Sequence, residues 1–432
     1  MNLDLTWRFA RLHQLLRRAW GSLALRGWKG TLRRITEQLQ RQDSEELTGD
    51  IPVPIGRKRI LVVDAMTPDP SRDSGSLRLC MMLHLLHQNG WHVDLLPDDR
   101  RANADDAAML LTYGIHLHRD NVMAWLRAHG QSLDAILLCR LSVAAQYLTI
   151  ARRLAPQAKC IFDTVDLHFL REQRAAETSG SYRMRRQSIA SRRQELALIR
   201  ASDISFVVSP VELALLKQEL PESHIELLSN IHEVHGRAAD FKARRDLLFV
   251  GGFGHPPNED AMRWFVGDIL PLLRQKEPDL RVHIAGDISA EARHTLAQPG
   301  VVIHGRVDDL SALMHECKIS VAPLRFGAGV KGKVNMAMSY GLPVVVTSIA
   351  AEGMHLMDGK NALIADSAIA FANAVLRLYR DEALWMHLSD EGMTNVRNHF
   401  SPEEAKRTLC KVLPANIATD IHATLSSSPD SP

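Results

Sequence analysis

The 432-residue chain predicts two doubly wound, Rossmann-like α/β domains that face one another. Three observations carry that reading. Short apolar runs alternate with amphipathic helical stretches, the pattern of a parallel sheet with helices on both faces. The alternation breaks at a polar, basic stretch, "HGRAADFKARRD" (235–246), and then restarts. The chain is also longer than one such domain usually needs.

In chain order, residues 1–56 form a basic arm and linker. Residues 1–42 hold nine Arg and Lys, among them Arg8, Arg17, Arg18, Arg33 and Arg34, against two acids, Asp4 and Glu37. Leu5, Phe9, Leu12, Leu16, Trp20 and Leu23 recur at helical spacing, so one face is apolar. Arginines interrupt every apolar stretch, which excludes a signal peptide. A basic amphipathic helix with Trp7, Trp20 and Trp28 suits an anionic membrane surface; packing on its own domain, or a connector, is the plainer alternative. The linker at 43–56 ends in "GDIPVPIG".

The first domain is expected over 57–240. Its strands are "RILVVDAM" (59–66), "WHVDLLPD" (91–98), "DAILLCRL" (134–141), "KCIFDTVDL" (159–167), "DISFVVSP" (203–210) and "IELLSNIHEV" (225–234). A helix at 77–90 stops at Gly90. The second domain is expected over 241–396. Its strands begin "LLFVGGFG" (247–254), "LRVHIAGD" (280–287), "VVIHGRV" (301–307), "KISVAPL" (318–324), "LPVVVTSI" (342–349) and "NALIAD" (361–366). A closing helix spans 397–413 and a polar tail, 414–432, reads as disordered.

Composition narrows the function. With 46% hydrophobic and 24% charged residues the chain is an ordinary globular protein. A net charge of +2 argues against a nucleic-acid binder. Cys80, Cys139, Cys160, Cys317 and Cys410 form no C-x-x-C pair, which argues against a zinc ribbon and for reduced thiols in the cytoplasm. No apolar run reaches the ~18 residues of a membrane span.

Ligands of doubly wound sheets bind beyond the carboxyl ends of the strands, so the loops there hold the candidates. "FGAGVKGKV" (326–334) follows a strand and precedes a helix. Free backbone N–H groups and the helix dipole make such a place an anion site, and Lys331 and Lys333 add full charge. Gly327, Gly332 and Lys333 fit the phosphate-loop pattern, but Val334 stands where a Ser or Thr would hold magnesium. The loop therefore favours direct neutralisation of a diphosphate by lysines, with no metal, over a P-loop; a merely flexible turn is the bland reading. Arg325 and Gly329 lie in the same loop, and Gly252 and Asn258 in "VGGFGHPPN". There Gly252 and Gly254 match a dinucleotide fingerprint, but Pro257 occupies the third glycine position, which argues against NAD or FAD.

In the first domain, "FDTVDLHFLRE" (162–172) puts Asp166, His168 and Arg171 at and past a strand end. His168 and Arg171 share a helix face and are expected to meet substrate; Asp166 either contacts substrate or caps the helix. Ser74, Gly75 and Ser76 offer donors at a helix start, for ligand or for a plain N-cap. Glu352 follows a strand of the second domain and either accepts hydroxyls or serves as a first-turn acid.

Taken together, residues 57–412 resemble a glycosyltransferase of the GT-B fold, group 1 (family 4) type. The stretches that carry the resemblance are "LLFVGGFGHPPNEDAMRWFVGDILP", "VAPLRFGAGVKGKVNMAMSYGLPVVVTSIAAEGM" and "IFDTVDLHFLRE". It is similar to a bacterial subgroup that assembles surface polysaccharide and lipopolysaccharide. The resemblance implies retaining transfer from a nucleotide-diphosphate sugar, without a metal, to a glycan or lipid-linked acceptor. It places the donor mainly in the second domain and the acceptor in the first, at the cytoplasmic face of the membrane. The expected roles are catalysis by His168, Lys333 and Glu352, and diphosphate binding by Arg325, Gly329, Lys331, Lys333 and Gly252. Ser74, Gly75, Ser76, Asp166, Arg171 and Asn258 are expected to contact donor or acceptor. One departure stands out. The family's two glutamates, separated by seven intervening residues, fall on Ala328 and Met336, and neither can accept a ribose hydroxyl. A non-catalytic sugar-nucleotide binder and a P-loop NTPase remain as alternatives.

Overall fold

A computed structural model describes residues 53–70, 73–327 and 329–415. The expected arm at 1–42, most of the linker, Ala328 and all but the start of the tail lie outside these residues. The first sheet comprises β1 (Lys58–Asp64), β2 (Trp91–Pro97), β3 (Ile115–Leu117), β4 (Ala135–Cys139), β5 (Lys159–Asp163), β6 (Ile204–Val207) and β7 (Ile225–Leu227). All neighbours are parallel, in the order β3-β2-β1-β4-β5-β6-β7. The second comprises β8 (Arg245–Val250), β9 (Val282–Ala285), β10 (Val301–Gly305), β11 (Cys317–Ala322), β12 (Val344–Val346) and β13 (Leu363–Ile364). It too is parallel, in the order β10-β9-β8-β11-β12-β13.

The central strands are continuous apolar runs because helices cover both faces of each sheet. Residues Ile60–Val63 of β1 are wholly buried. Alternate residues serve opposite faces: Ile60 and Val62 pack under one helix layer, Leu61 and Val63 under the other. In both sheets the strand order reverses beside the first strand, between β1 and β4 and between β8 and β11. That reversal opens a crevice at the carboxyl ends.

Three elements differ from the sequence expectation. β3 is too short, at three residues, for a periodic signal. The strand expected over 225–234 ends at Leu227, and the chain then runs to the second domain without regular structure. The closing helix expected over 397–413 is divided. A long helix, Glu382–His399, stops at Phe400, and Ser401 caps a new helix, Pro402–Val412, with Pro402 in its first turn. That last helix crosses back to the first domain. Ala405, Leu409 and Val412 join the apolar cluster of Leu79 and Leu83, and the Trp91 indole donates to the Leu413 carbonyl at 3.3 Å. The two domains are thus tied by two strands of chain.

Candidate functional site

The loop between β11 and the helix Gly332–Ser339 lies at the switch point of the second sheet. Gly327 (φ 145°) and Gly329 (φ 69°) adopt backbone conformations that a side chain would strain. Gly332 opens the helix with its Cα against the other domain: a Cβ there would lie 2.4 Å from the Ser74 Cβ. The start of this helix therefore abuts the start of the first domain's helix Ser74–Gln88. Val334 is 1% exposed and belongs to the second domain's core. The position a P-loop gives to its magnesium-binding hydroxyl is turned into apolar packing.

Lys331 stands at the helix N-cap, buried, with Nζ donating to the Gly329 carbonyl at 2.7 Å. Burial pushes its pKa down to about 8, against the pull of the Glu352 carboxylate. Lys333 is half-buried. Its Nζ donates to Asn258 Oδ1 at 2.5 Å and sits 4.3 Å from the centroid of the Phe249 ring. Burial first, then the like charge of Lys331, push its pKa down to about 7. Gly251 makes the space: a Cβ there would meet this Nζ at 2.6 Å. Asn258 is held in turn by donating to the Gly252 carbonyl at 2.8 Å. Two lysines with lowered pKa thus stand at a helix N-terminus, where an opposite charge beside them would favour the protonated form.

The first domain supplies the opposite wall. The helix His168–Ser179 begins past β5. Its N-terminus is capped at a distance: Glu195 accepts from the His168 and Phe169 backbone N–H groups at 3.1 and 3.0 Å. Glu212 accepts from the Leu167 N–H at 3.1 Å. Both carboxyls are buried; burial pushes Glu195 up to about 7 and also raises Glu212. Asp166 does not cap this helix. It pairs with the Arg171 guanidinium, which also reaches His168 Nδ1 at 2.6 Å, while His168 Nε2 lies 3.2 Å from Glu172. Asp166, His168 and Arg171 form one chain of contacts, with His168 and Arg171 on the shared helix face that their spacing implied. Asp166 also lies near the glycine loop of the second domain, its Cβ 3.5 Å from where a Cβ on Gly329 would stand.

Other expected contacts are rearranged. Asp73, not Ser74, caps the helix Ser74–Gln88. Ser76 is buried, with its N–H and hydroxyl both donating to Asp73 at 2.8 and 3.0 Å, so it belongs to the cap rather than to a ligand. Ser74 and Gly75 remain at the seam, Ser74 against Gly332. Arg325 pairs with Asp260 (Nε to Oδ2, 2.9 Å) at the surface of the second domain. Glu352 follows the short helix Ser348–Ala351 as its C-cap, not as a first-turn acid. A carboxylate there opposes the helix dipole, and Arg174 offsets it at 2.8 Å. The same guanidinium donates to the Gly327 carbonyl at 2.9 Å. Glu352 is therefore held across the domains rather than standing open for catalysis. Met336 is half-buried on its helix.

Sequence reading passed over Arg174, which extends the three-residue spacing of His168 and Arg171, and that spacing was the available signal. It also missed His255, whose pKa is lowered by burial, by Lys333 of its own domain and by Arg171 of the other. Glu195 is far along the chain from the helix it caps, and nothing local marks it. Among the described residues no three His, Cys, Asp or Glu side chains come together as a metal site.

Comparisons with known proteins bear on the fold. Residues 244–381 match the family model described as Glycosyl transferases group 1. The sucrose-phosphate synthase of Thermosynechococcus elongatus superposes with a TM-score of 0.63 at 16% identity, covering 82% of this chain and 98% of that one. HepE of Anabaena, solved with UDP and glucose, gives a TM-score of 0.63 at 12% identity, covering 83% and 99%. At such identities these likenesses establish a shared GT-B fold. A Klebsiella pneumoniae protein described as an uncharacterized 44.6 kDa protein in the cps region is 23% identical over 175 residues, 38% of this chain. The match spans 45% of that curated relative.

Proposed function

We propose that this chain, whose residues 244–381 match the group 1 glycosyltransferase model, moves a sugar from a nucleotide-diphosphate donor to a glycan or lipid-linked acceptor, with retention, in the assembly of a bacterial surface polysaccharide. The observation that carries the proposal is Lys333 beside Lys331, both with lowered pKa, at the N-terminus of a helix that starts at the switch point of the second sheet and whose first residue, Gly332, abuts Ser74 of the first domain. Negative charge develops on the departing diphosphate as the glycosidic bond breaks. Preorganised cations and N–H groups stabilise that charge without reorganising. The departing phosphate oxygen takes the acceptor's proton on the same face, so no pair of flanking carboxylates is needed. His168, fixed by Arg171 and Glu172, orients the reacting sugar from the first domain. No metal takes part in this scheme, since the lysines supply the positive charge.

The cps-region relative and the solved structures with UDP support the choice of substrate class. Among the described residues no helix is long and apolar enough to cross a membrane. The proposed workplace is the cytoplasmic membrane face, where lipid-linked acceptors reside. The test is release of nucleoside diphosphate from a panel of UDP-, GDP- and dTDP-sugars, with a CMP-sugar, which can release only a monophosphate, as the control. One donor should turn over, and Lys333→Ala should lower its rate on the order of 100-fold or more; near-normal turnover in that variant overturns the assignment. A sugar-nucleotide binder without catalysis is the second reading. Met336 at a glutamate position and the capture of Glu352 by Arg174 favour it, and binding of a donor with no release of diphosphate would establish it.

A further inference from the structure

The helix Tyr182–Ala201 packs against the helix that carries His168, Arg171 and Arg174, with Gly180 at the turn between them. It holds six arginines, and its lone acid, Glu195, is wholly buried. Its buried stripe is Ser188, Ser191, Glu195, Leu196 and Ile199. The opposite stripe, read at helical spacing, is Tyr182, Arg186, Ile189, Arg193 and Arg200, all exposed. Tyr182 is 75% and Ile189 50% exposed.

This surface costs the fold something. Arg183 and Arg185 lie in the first turn, which has no acid, where the helix dipole disfavours cations. Large apolar side chains stand in solvent among them. Features that oppose local stability commonly mark function. The contrast with the whole chain sharpens the point: the net charge is +2, so this concentration is local.

We propose that this helix is a docking face for an anionic lipid bilayer. Guanidinium groups pair with headgroup phosphates, while an aromatic and an aliphatic side chain on the same stripe enter the headgroup–acyl boundary. A second copy of the chain fits poorly, because a twofold contact would oppose arginines to arginines. Docking would hold the adjoining helix, and with it His168 and Arg171, beside the membrane surface. The inference deepens the proposed function by naming where a lipid-linked acceptor is met, and rests on that reading for its purpose. Its test needs neither donor nor acceptor, so the two can fail separately.

The full chain is sedimented with vesicles of phosphatidylglycerol and phosphatidylethanolamine, and with pure phosphatidylcholine. Binding is expected only to the anionic vesicles, weakening with salt. Each arginine near such a surface strengthens partitioning about fivefold, so R186Q/R193Q/R200Q should lower it on the order of 100-fold. Tyr182→Ser with Ile189→Ser should weaken binding at low and high salt alike. The substituted side chains are exposed, and unchanged melting checks that the variants fold. The inference is overturned by a parent that ignores anionic vesicles, or by a triple variant that binds them as well as the parent. It is equally overturned if the triple variant loses affinity for a single-stranded RNA, or loses a dimer, while keeping its affinity for vesicles.

Discussion

Binding of a nucleoside diphosphate should draw protons from solution, and Lys333 should account for most of them. In the free protein burial lowers the pKa of Lys333 to about 7 and of Lys331 to about 8. At pH 8 about nine-tenths of Lys333 and about half of Lys331 are then uncharged. A diphosphate beside them favours the charged forms. Saturation should accordingly take up roughly 1.4 protons at pH 8, falling to about 0.5 in Lys333→Met, which keeps the side chain's bulk and removes its charge. The sign for stability follows from the same shifts. Between pH 7 and the ordinary lysine pKa the unfolded chain binds more protons than the folded one, so the ligand-free protein gains stability as pH rises. Affinity for the diphosphate moves the other way, weakening by up to about tenfold per pH unit above 7 from Lys333 alone. Calorimetric titration with UDP, GDP and dTDP, in buffers of differing ionisation enthalpy, reads the uptake directly. Zero uptake on binding, or an uptake that Lys333→Met leaves unchanged, would refute the placement of the diphosphate.

Arg174→Ala and Glu352→Ala should each raise the donor KM, and the double variant should be no worse than either. The coupling expected is about 0.5–1 kcal/mol for this partly exposed pair, and additive losses in kinetics would show that the bridge does not govern the site. Gly332→Ala should damage the seam more than its size suggests, because the added Cβ would meet Ser74 at 2.4 Å; a variant with normal KM and kcat would show that the domains need not close there. Turnover should survive EDTA, because lysines rather than a metal are proposed to neutralise the leaving group, and abolition by chelator with rescue by magnesium or manganese would return a metal to the mechanism.

The sequence alone determined most of the strands and the strand–glycine loop–helix that carries Lys331 and Lys333. Period and composition are local: an apolar run such as Ile60–Val63 is a buried strand because its own neighbours make it one, and a strand, a glycine turn and a helix start bring Lys331 and Lys333 together over a few residues. The kinship of His168 with Arg171 is equally local, a matter of helix pitch. Tertiary structure decided everything that depends on contacts between distant segments. Glu352 is a free acid in sequence and a partner of Arg174 in the fold. Ser76 offers a hydroxyl in sequence and spends it on Asp73 once the helix forms. Arg325 sits in the anion loop, yet Asp260 holds it. Glu195 caps a helix that begins 27 residues earlier, a role fixed only by packing two helices side by side. The last helix, read as a closing element, packs on the first domain because that domain leaves an apolar face at Leu79 and Leu83 uncovered until the chain returns. Charge pairing and burial are properties of proximity in space, and a single sequence reports proximity only along the chain.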